Sequence, residues 1–174
     1  MRRKLLIFDT SVLTVYLELP GFIIAGAGDI QKSKSDIDRK IEEEIQRGTL
    51  MILPIATIIE TGNHIAHIQG DKFTYVNKFV ELLLDIANNR MPWTLFSNQS
   101  GMWSPDNVKT LAQKWREHGV YSLSLGDESI LDVARYYCNA GYEVEVFTGD
   151  EQLYGFSTAI TPLIVEPRRR RRNK

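Results

Sequence analysis

One cysteine and three histidines in 174 residues leave little from which to build a disulfide framework or a zinc site. Cys138 can form no internal bridge, and its place in a predicted helix suits a small buried hydrophobe. No stretch approaches the roughly 18–20 uninterrupted apolar residues of a membrane span. The basic start Arg2-Arg3-Lys4 leads into an apolar run that Asp9 breaks, without a small-residue cleavage site. That run reads as a first strand and not as a secretion signal, so a cytoplasmic location without a membrane partner is expected. There is no G-x-x-x-x-G-K-[ST] loop and no G-x-S-x-G elbow, which argues against a P-loop NTPase and a serine hydrolase. Internal repeats and interdomain linkers are absent as well.

What is present is an ordinary core-forming chain, with 43% hydrophobic and 25% charged residues at a length that suits one domain. The net charge of −1 hides an asymmetry. Residues 168–174 carry six positive charges and no acid, leaving 15 basic against 22 acidic residues, or −7, in the rest. An acidic body binds nucleic acid poorly by itself and would need metal ions to receive a phosphate. The run Arg168, Arg169, Arg170, Arg171 and Arg172 could grip RNA, or be a solvated tail.

Periodicity and punctuation predict alternating strands and helices. Lys4–Asp9 is a buried parallel strand, and Ser11–Leu19 a helix stopped by Pro20 and Gly21. Residues 22–34 read as a loop or insertion. Residues 35–47 are helical, with Ser35 as cap, Asp38 as its capping-box partner and Gly48 as terminator. Leu50–Leu53 is a strand, and Pro54 opens a helix reaching about Ile68. Asp71–Asn88 carries the three- and four-residue spacing of an amphipathic helix. Residues 91–104, with aromatics and glycine/proline breaks, show no clear pattern. Ser104 caps a helix begun by Pro105 and ended by Gly119. Asp127 opens a helix to Asn139, Glu143–Phe147 alternates as a strand, and residues 160–165 suggest a last one. The expectation is an α/β protein, three-layered, with a mainly parallel sheet covered on both faces.

Four acids stand out by position. Asp9 ends a strand and Asp150 follows another, and in parallel sheets ligands bind outside the carboxyl ends of strands. Glu60 is the only acid in its apolar neighbourhood, and Asp127 leads a helix. Each has an ordinary alternative: turn residue for Asp9 and Asp150, surface glutamate for Glu60, helix cap for Asp127. Ser11 and Thr148 are candidates for orienting carboxylates or waters, against ordinary strand-end hydroxyls. Glu128, Asp132 and Glu151 rank below the four. Glu128 points about 100° from Asp127 and is expected toward solvent. His64 lies one turn beyond Glu60 and reads as a partly buried structural histidine.

The segments LLIFDTSVL (5–13), LPIATIIETGNHIA (53–66), LGDESILDVARYY (125–137) and VEVFTGDEQL (144–153) together resemble the PIN-domain family, which includes ribonuclease toxins of toxin–antitoxin pairs. Asp9, Glu60, Asp127 and Asp150 occupy the places of that family's acids. The interval from Asp9 to Glu60 is long for a compact toxin, and the aromatic stretch 92–103 is no hallmark of the family. The resemblance implies a PIN-like nuclease domain over residues 1–167, followed by the basic tail. It further implies Mg²⁺ or Mn²⁺ held by Asp9, Asp127, Asp150 and Glu60, RNA as substrate, and an antitoxin protein and a homodimer as candidate partners. Hard divalent ions suit such a cluster because they prefer oxygen ligands. One ion can acidify a water while another supports the leaving oxygen. Two competing classes remain. A haloacid-dehalogenase-like phosphohydrolase wants D-x-D on its first strand, where this chain has Asp9-Thr10-Ser11. A non-catalytic RNA-binding or scaffold protein of PIN shape has no need of all four acids.

Overall fold

The computed structural model describes residues 3–94 and 99–160; the arginine tail, and all but Ile160 of the strand expected over 160–165, lie outside them. In chain order the elements are β1 (Lys4–Phe8), α1 (Thr10–Tyr16), β2 (Ile24–Ala25), β3 (Lys32–Ser33), α2 (Lys34–Gln46), β4 (Leu50–Ile52) and α3 (Ile55–Ala66). There follow α4 (Lys72–Ala87), α5 (Gln99–Met102), α6 (Pro105–His118), α7 (Leu125–Asn139), β5 (Glu143–Phe147) and α8 (Glu151–Ile160).

β1 is the middle of a parallel sheet ordered β4-β1-β5, with Ile7 opposite Ile52 and Phe8 opposite Phe147. Both faces of β1 are covered, which is why its sequence is continuously apolar and not alternating. Leu6 and Phe8 join one core with Val12, Leu13, Ile37, Phe79 and Leu82, from α1, α2 and α4. Leu5 and Ile7 project the other way, onto Ile130, Leu131 and Val133 of α7 and Leu153 of α8. The chain is thus α/β, with helices on both faces of its parallel sheet. Among the described residues no helix is long and apolar enough to cross a membrane.

Several elements depart from the sequence expectation. Residues 22–34 contain a small antiparallel hairpin, β2 against β3, in place of a plain loop. α2 begins on Ser33, not Ser35: Ser33 and Asp36 exchange the capping-box bonds, while Asp38 pairs with Lys34 at 2.6 Å. The S-x-x-D pattern occurs twice in this stretch, and the hairpin pairing of Ser33 with Ile24 selects the earlier copy. α3 stops at Ala66, and Pro54 is its cap residue. α7 starts at Leu125 behind Ser124, so Asp127 lies inside its first turn. Ile160 ends a helix. Cys138 is only half-buried, beside the core under α7. By contrast, α4 is flanked by Asp71 and Asn88, and α6 by Ser104 and Gly119, as the punctuation indicates.

Candidate active site

The connection leaving β1 runs to β4 on one side, and the chain later returns to β5 on the other. The direction therefore switches between β1 and β5, and a crevice opens at their carboxyl ends. Asp9 lies directly there. Its backbone N–H donates to the Phe147 carbonyl at 3.1 Å, and its side chain caps α1. Oδ1 accepts from the Thr10 N–H at 2.6 Å. Oδ2 accepts from Ser11 Oγ at 2.6 Å, from Thr148 Oγ1 at 2.8 Å and from the Ser11 N–H at 3.3 Å. The two hydroxyls are themselves held, since Gly149 N–H donates to Ser11 Oγ and Asp150 N–H to Thr148 Oγ1, each at 2.9 Å. Asp9 is 4% exposed, and burial pushes its carboxyl above the ordinary value although all four of these bonds favour the charged form.

The other acids approach from neighbouring helices. Asp127 is half-buried on α7 and completes a capping box: Ser124 N–H donates to its Oδ2 at 2.9 Å, and its own N–H to Ser124 Oγ at 3.0 Å. Its carboxyl is raised, first by burial and further by the negative charges of Asp9 and Asp150, against the lowering bonds from Ser124. Asp150 is exposed and caps α8, its Oδ1 accepting from Gln152 N–H at 2.9 Å and Leu153 N–H at 2.7 Å. Glu60 is exposed on α3, and Thr10 Oγ1 donates to its Oε2 at 2.8 Å, tying it to the residue after Asp9. Three of the four acids thus stand at helix N-termini, where the helix dipole favours negative charge.

Capping is a complete structural role, but it does not explain the missing cations. The fully buried carboxylates elsewhere are neutralised: Glu44 by Lys4 and Lys40, and Glu128 by Arg135 at 2.8 Å, with His118 Nδ1 hydrogen-bonded to it as well. Asp9, Asp127, Asp150 and Glu60 make no ion pair among the described residues. A buried carboxylate is ordinarily paired, so this crevice concentrates uncompensated negative charge. The donors are hard oxygens of the kind divalent ions prefer. Among the described residues, however, no three His, Cys, Asp or Glu side chains are close enough to hold one metal ion as they stand.

Glu128 corrects the expected helix phase. It is 0% exposed and joins α7 to α6 through His118, with Arg135 bridging on to Asp132 at 2.6 Å. Asp132 also pairs with Lys114, and Glu151 is exposed in the first turn of α8. His64 is half-buried and packs edge-on against Phe22, ring centres 4.9 Å apart, as a structural histidine does.

Sequence reasoning passed over five supporting residues. Thr10 positions Glu60, and Ser124 holds Asp127; the S-x-x-D spacing of Ser124 and Asp127 was the available signal. Gly26 and Gly149 press backbone on backbone: a Cβ on Gly26 would lie 2.1 Å from the Gly149 carbonyl oxygen. Lys32 donates to the Thr148 carbonyl at 2.8 Å, fastening the β2–β3 hairpin to the turn that carries Asp150. No short motif announces either contact. Compared with family models, with curated proteins and with solved structures, the chain matches none.

Proposed function

We propose that this chain is a divalent-cation-dependent ribonuclease of PIN-like fold that hydrolyses RNA phosphodiester bonds in the crevice around Asp9. The observation that carries this reading is a buried carboxylate, paired with no cation among the described residues, at the switch point of a parallel sheet. The charges of Asp127 and Asp150 are close enough to act on one another there. Mg²⁺ or Mn²⁺ held by Asp9, Asp127 and Asp150, with Glu60 directly or through water, would acidify a bound water and offset phosphate charge. The donor chemistry fits such an ion, and gathering three of these side chains about it requires them to move from their present positions.

The chain's own residues supply the rest. Ser11 and Thr148 fix Asp9 Oδ2, so the carboxylate cannot turn away from the crevice. Thr10 keeps Glu60 facing it across α1 and α3. RNA as substrate, and an antitoxin or a second copy of the chain as partner, rest on the family resemblance and the acidic crevice. A second reading, a non-catalytic scaffold of the same shape, is favoured by the capping duties of Asp9, Asp127 and Asp150.

Cleavage of mixed single-stranded RNA and DNA substrates separates the two readings. RNA should be cut in Mg²⁺ or Mn²⁺ and left intact in EDTA. Full cleavage in EDTA by clean protein would sink the metal mechanism, and no cleavage under any condition would favour the scaffold.

A further inference from the structure

The acidic crevice continues into a groove bounded by α3, α6 and α7 that the ribonuclease reading does not use. Two hollows, of about 200 and 340 Å³, lie end to end there and share Ile55, Trp103, Leu111 and Ser129. The second reaches Glu60 and Gly126, the residue before Asp127. Trp103, in the turn between α5 and α6, stands between the two hollows and is 60% exposed. It belongs to the aromatic stretch 92–103, whose Trp93 is buried in the core against Phe8 while Trp103 stays at the surface. Ile59 and Leu125 are exposed large apolar residues of the same groove. Such clustering marks a binding surface more often than scattered apolar residues do.

The polar groups of the groove narrow the ligand. Lys114 and Arg135 line the inner hollow, but both are committed to Asp132 at 2.6 Å, and Arg135 also to Glu128. Among the described residues lining this hollow, no cation is left to hold a phosphate. Three amides line the groove, Asn107 and Asn139 in the inner hollow and Asn63 in the outer one. Asn107 uses Nδ2 on the Gly101 carbonyl at 2.7 Å, which leaves Oδ1 as an acceptor, and Asn63 stands beside Glu60 in the outer hollow. A flat aromatic wall, aliphatic sides and amide edges suit an uncharged planar heterocycle. With the described cations of the inner hollow already paired, stacking on an aromatic face is the contact this groove offers a base.

We propose that this groove binds the base of the nucleotide next to the scissile phosphate of single-stranded RNA, with Trp103 as its stacking wall and Asn107 and Asn63 at its edge. The proposal rests on the ribonuclease reading and names the subsite that reading lacks. It also specifies single strands, because a paired base cannot leave its stack to enter a hollow without the cost of unpairing.

The test uses the full chain carrying Asp9→Asn, so that RNA is bound and not consumed. The readout is fluorescence anisotropy of labelled single-stranded RNA hexamers and of the matching duplex, in Mg²⁺. Adding Trp103→Ala should weaken single-strand binding about tenfold or more, while Trp103→Phe, which keeps a stacking ring, should stay within about threefold. Duplex binding should be unchanged by either. Equal affinity of the Trp103→Ala chain and its parent would overturn the subsite, as would equal weakening by Ala and Phe. No single-strand binding by the parent would do the same. If a chain with Asp9 intact cleaves RNA and Trp103→Ala leaves its KM unchanged, the subsite falls and the nuclease stands. Trp103-dependent binding by a chain that never cleaves overturns the nuclease reading and leaves the base subsite standing.

Discussion

Adjacent residues on α7 do opposite things with the same functional group. Asp127 feels the charges of Asp9 and Asp150 and pairs with no cation among the described residues, whereas Glu128 points into the protein and meets Arg135 and His118. The difference follows from a helical turn of about 100° per residue, which sends neighbours to different surroundings. Replacing each by alanine should therefore separate catalysis from stability. Asp127→Ala should lower kcat/KM by about 2–3 kcal/mol of transition-state stabilisation, the scale of one main electrostatic element. Its thermal cost should be limited to a lost cap, on the order of 1 kcal/mol. Glu128→Ala leaves Arg135 and His118 without their buried partner and should lower the melting temperature more, with kcat/KM nearly unchanged below that temperature. Steady-state kinetics and thermal denaturation of both variants decide it. A larger kcat/KM loss for Glu128→Ala would mean that the wrong acid has been placed in the crevice.

At the level of elements, the hairpin of β2 and β3 is the part of the fold that braces the site. Gly26, at φ +77°, lies so near Gly149 that neither position has room for a side chain. Gly26→Ala should push the Thr148–Asp150 turn away from Asp9, at a cost of at least about 1–3 kcal/mol from the strained backbone and the clash. Thermal denaturation and cleavage rate should fall together; a fully active, equally stable variant would show that the hairpin braces nothing. This hairpin was hidden in the sequence because its two-residue strands are too short to show alternation. The longer elements were legible for the complementary reason. Ser104-Pro105 and Gly119 bracket α6 with capping chemistry, and Leu5–Phe8 is apolar because both its faces are covered. The acids at strand ends were legible as well, since the ends of β1 and β5 fix where Asp9 and Asp150 emerge. The inward turn of Glu128 was not legible, because it depends on a histidine from α6 and an arginine two turns along α7.

Across the whole molecule, charge is sorted between the two ends of the sheet. At the amino ends of the strands, Lys4 and Lys40 link Glu44 and Glu145 into a compensated cluster. Burial alone would raise Glu44, but the bonds from Lys4, Thr49 and Lys40 bring it down to about 2 from an ordinary 4.5. A depressed carboxyl stabilises the fold above its unfolded value and loses that contribution as pH falls through its folded value. The melting temperature should accordingly drop between pH of about 4.5 and 2, and Glu44→Gln should flatten that drop while lowering stability at neutral pH. Denaturation scans across that range check this. Asp9 and Asp127, at the carboxyl ends, have raised values and the opposite sign. Their ionisation opposes folding as pH rises through those values, so the crevice holds its charge at the expense of stability. The most direct measurement of whether that charge serves chemistry is the single-turnover rate of RNA cleavage in saturating Mg²⁺ by the intact chain and by Asp9→Asn. The amide nearly preserves the shape of Asp9 but removes its charge, so the variant should fold and its rate should fall by about 10²-fold or more. A folded Asp9→Asn chain that cleaves at the rate of the intact one would contradict the assignment of this crevice as the active site.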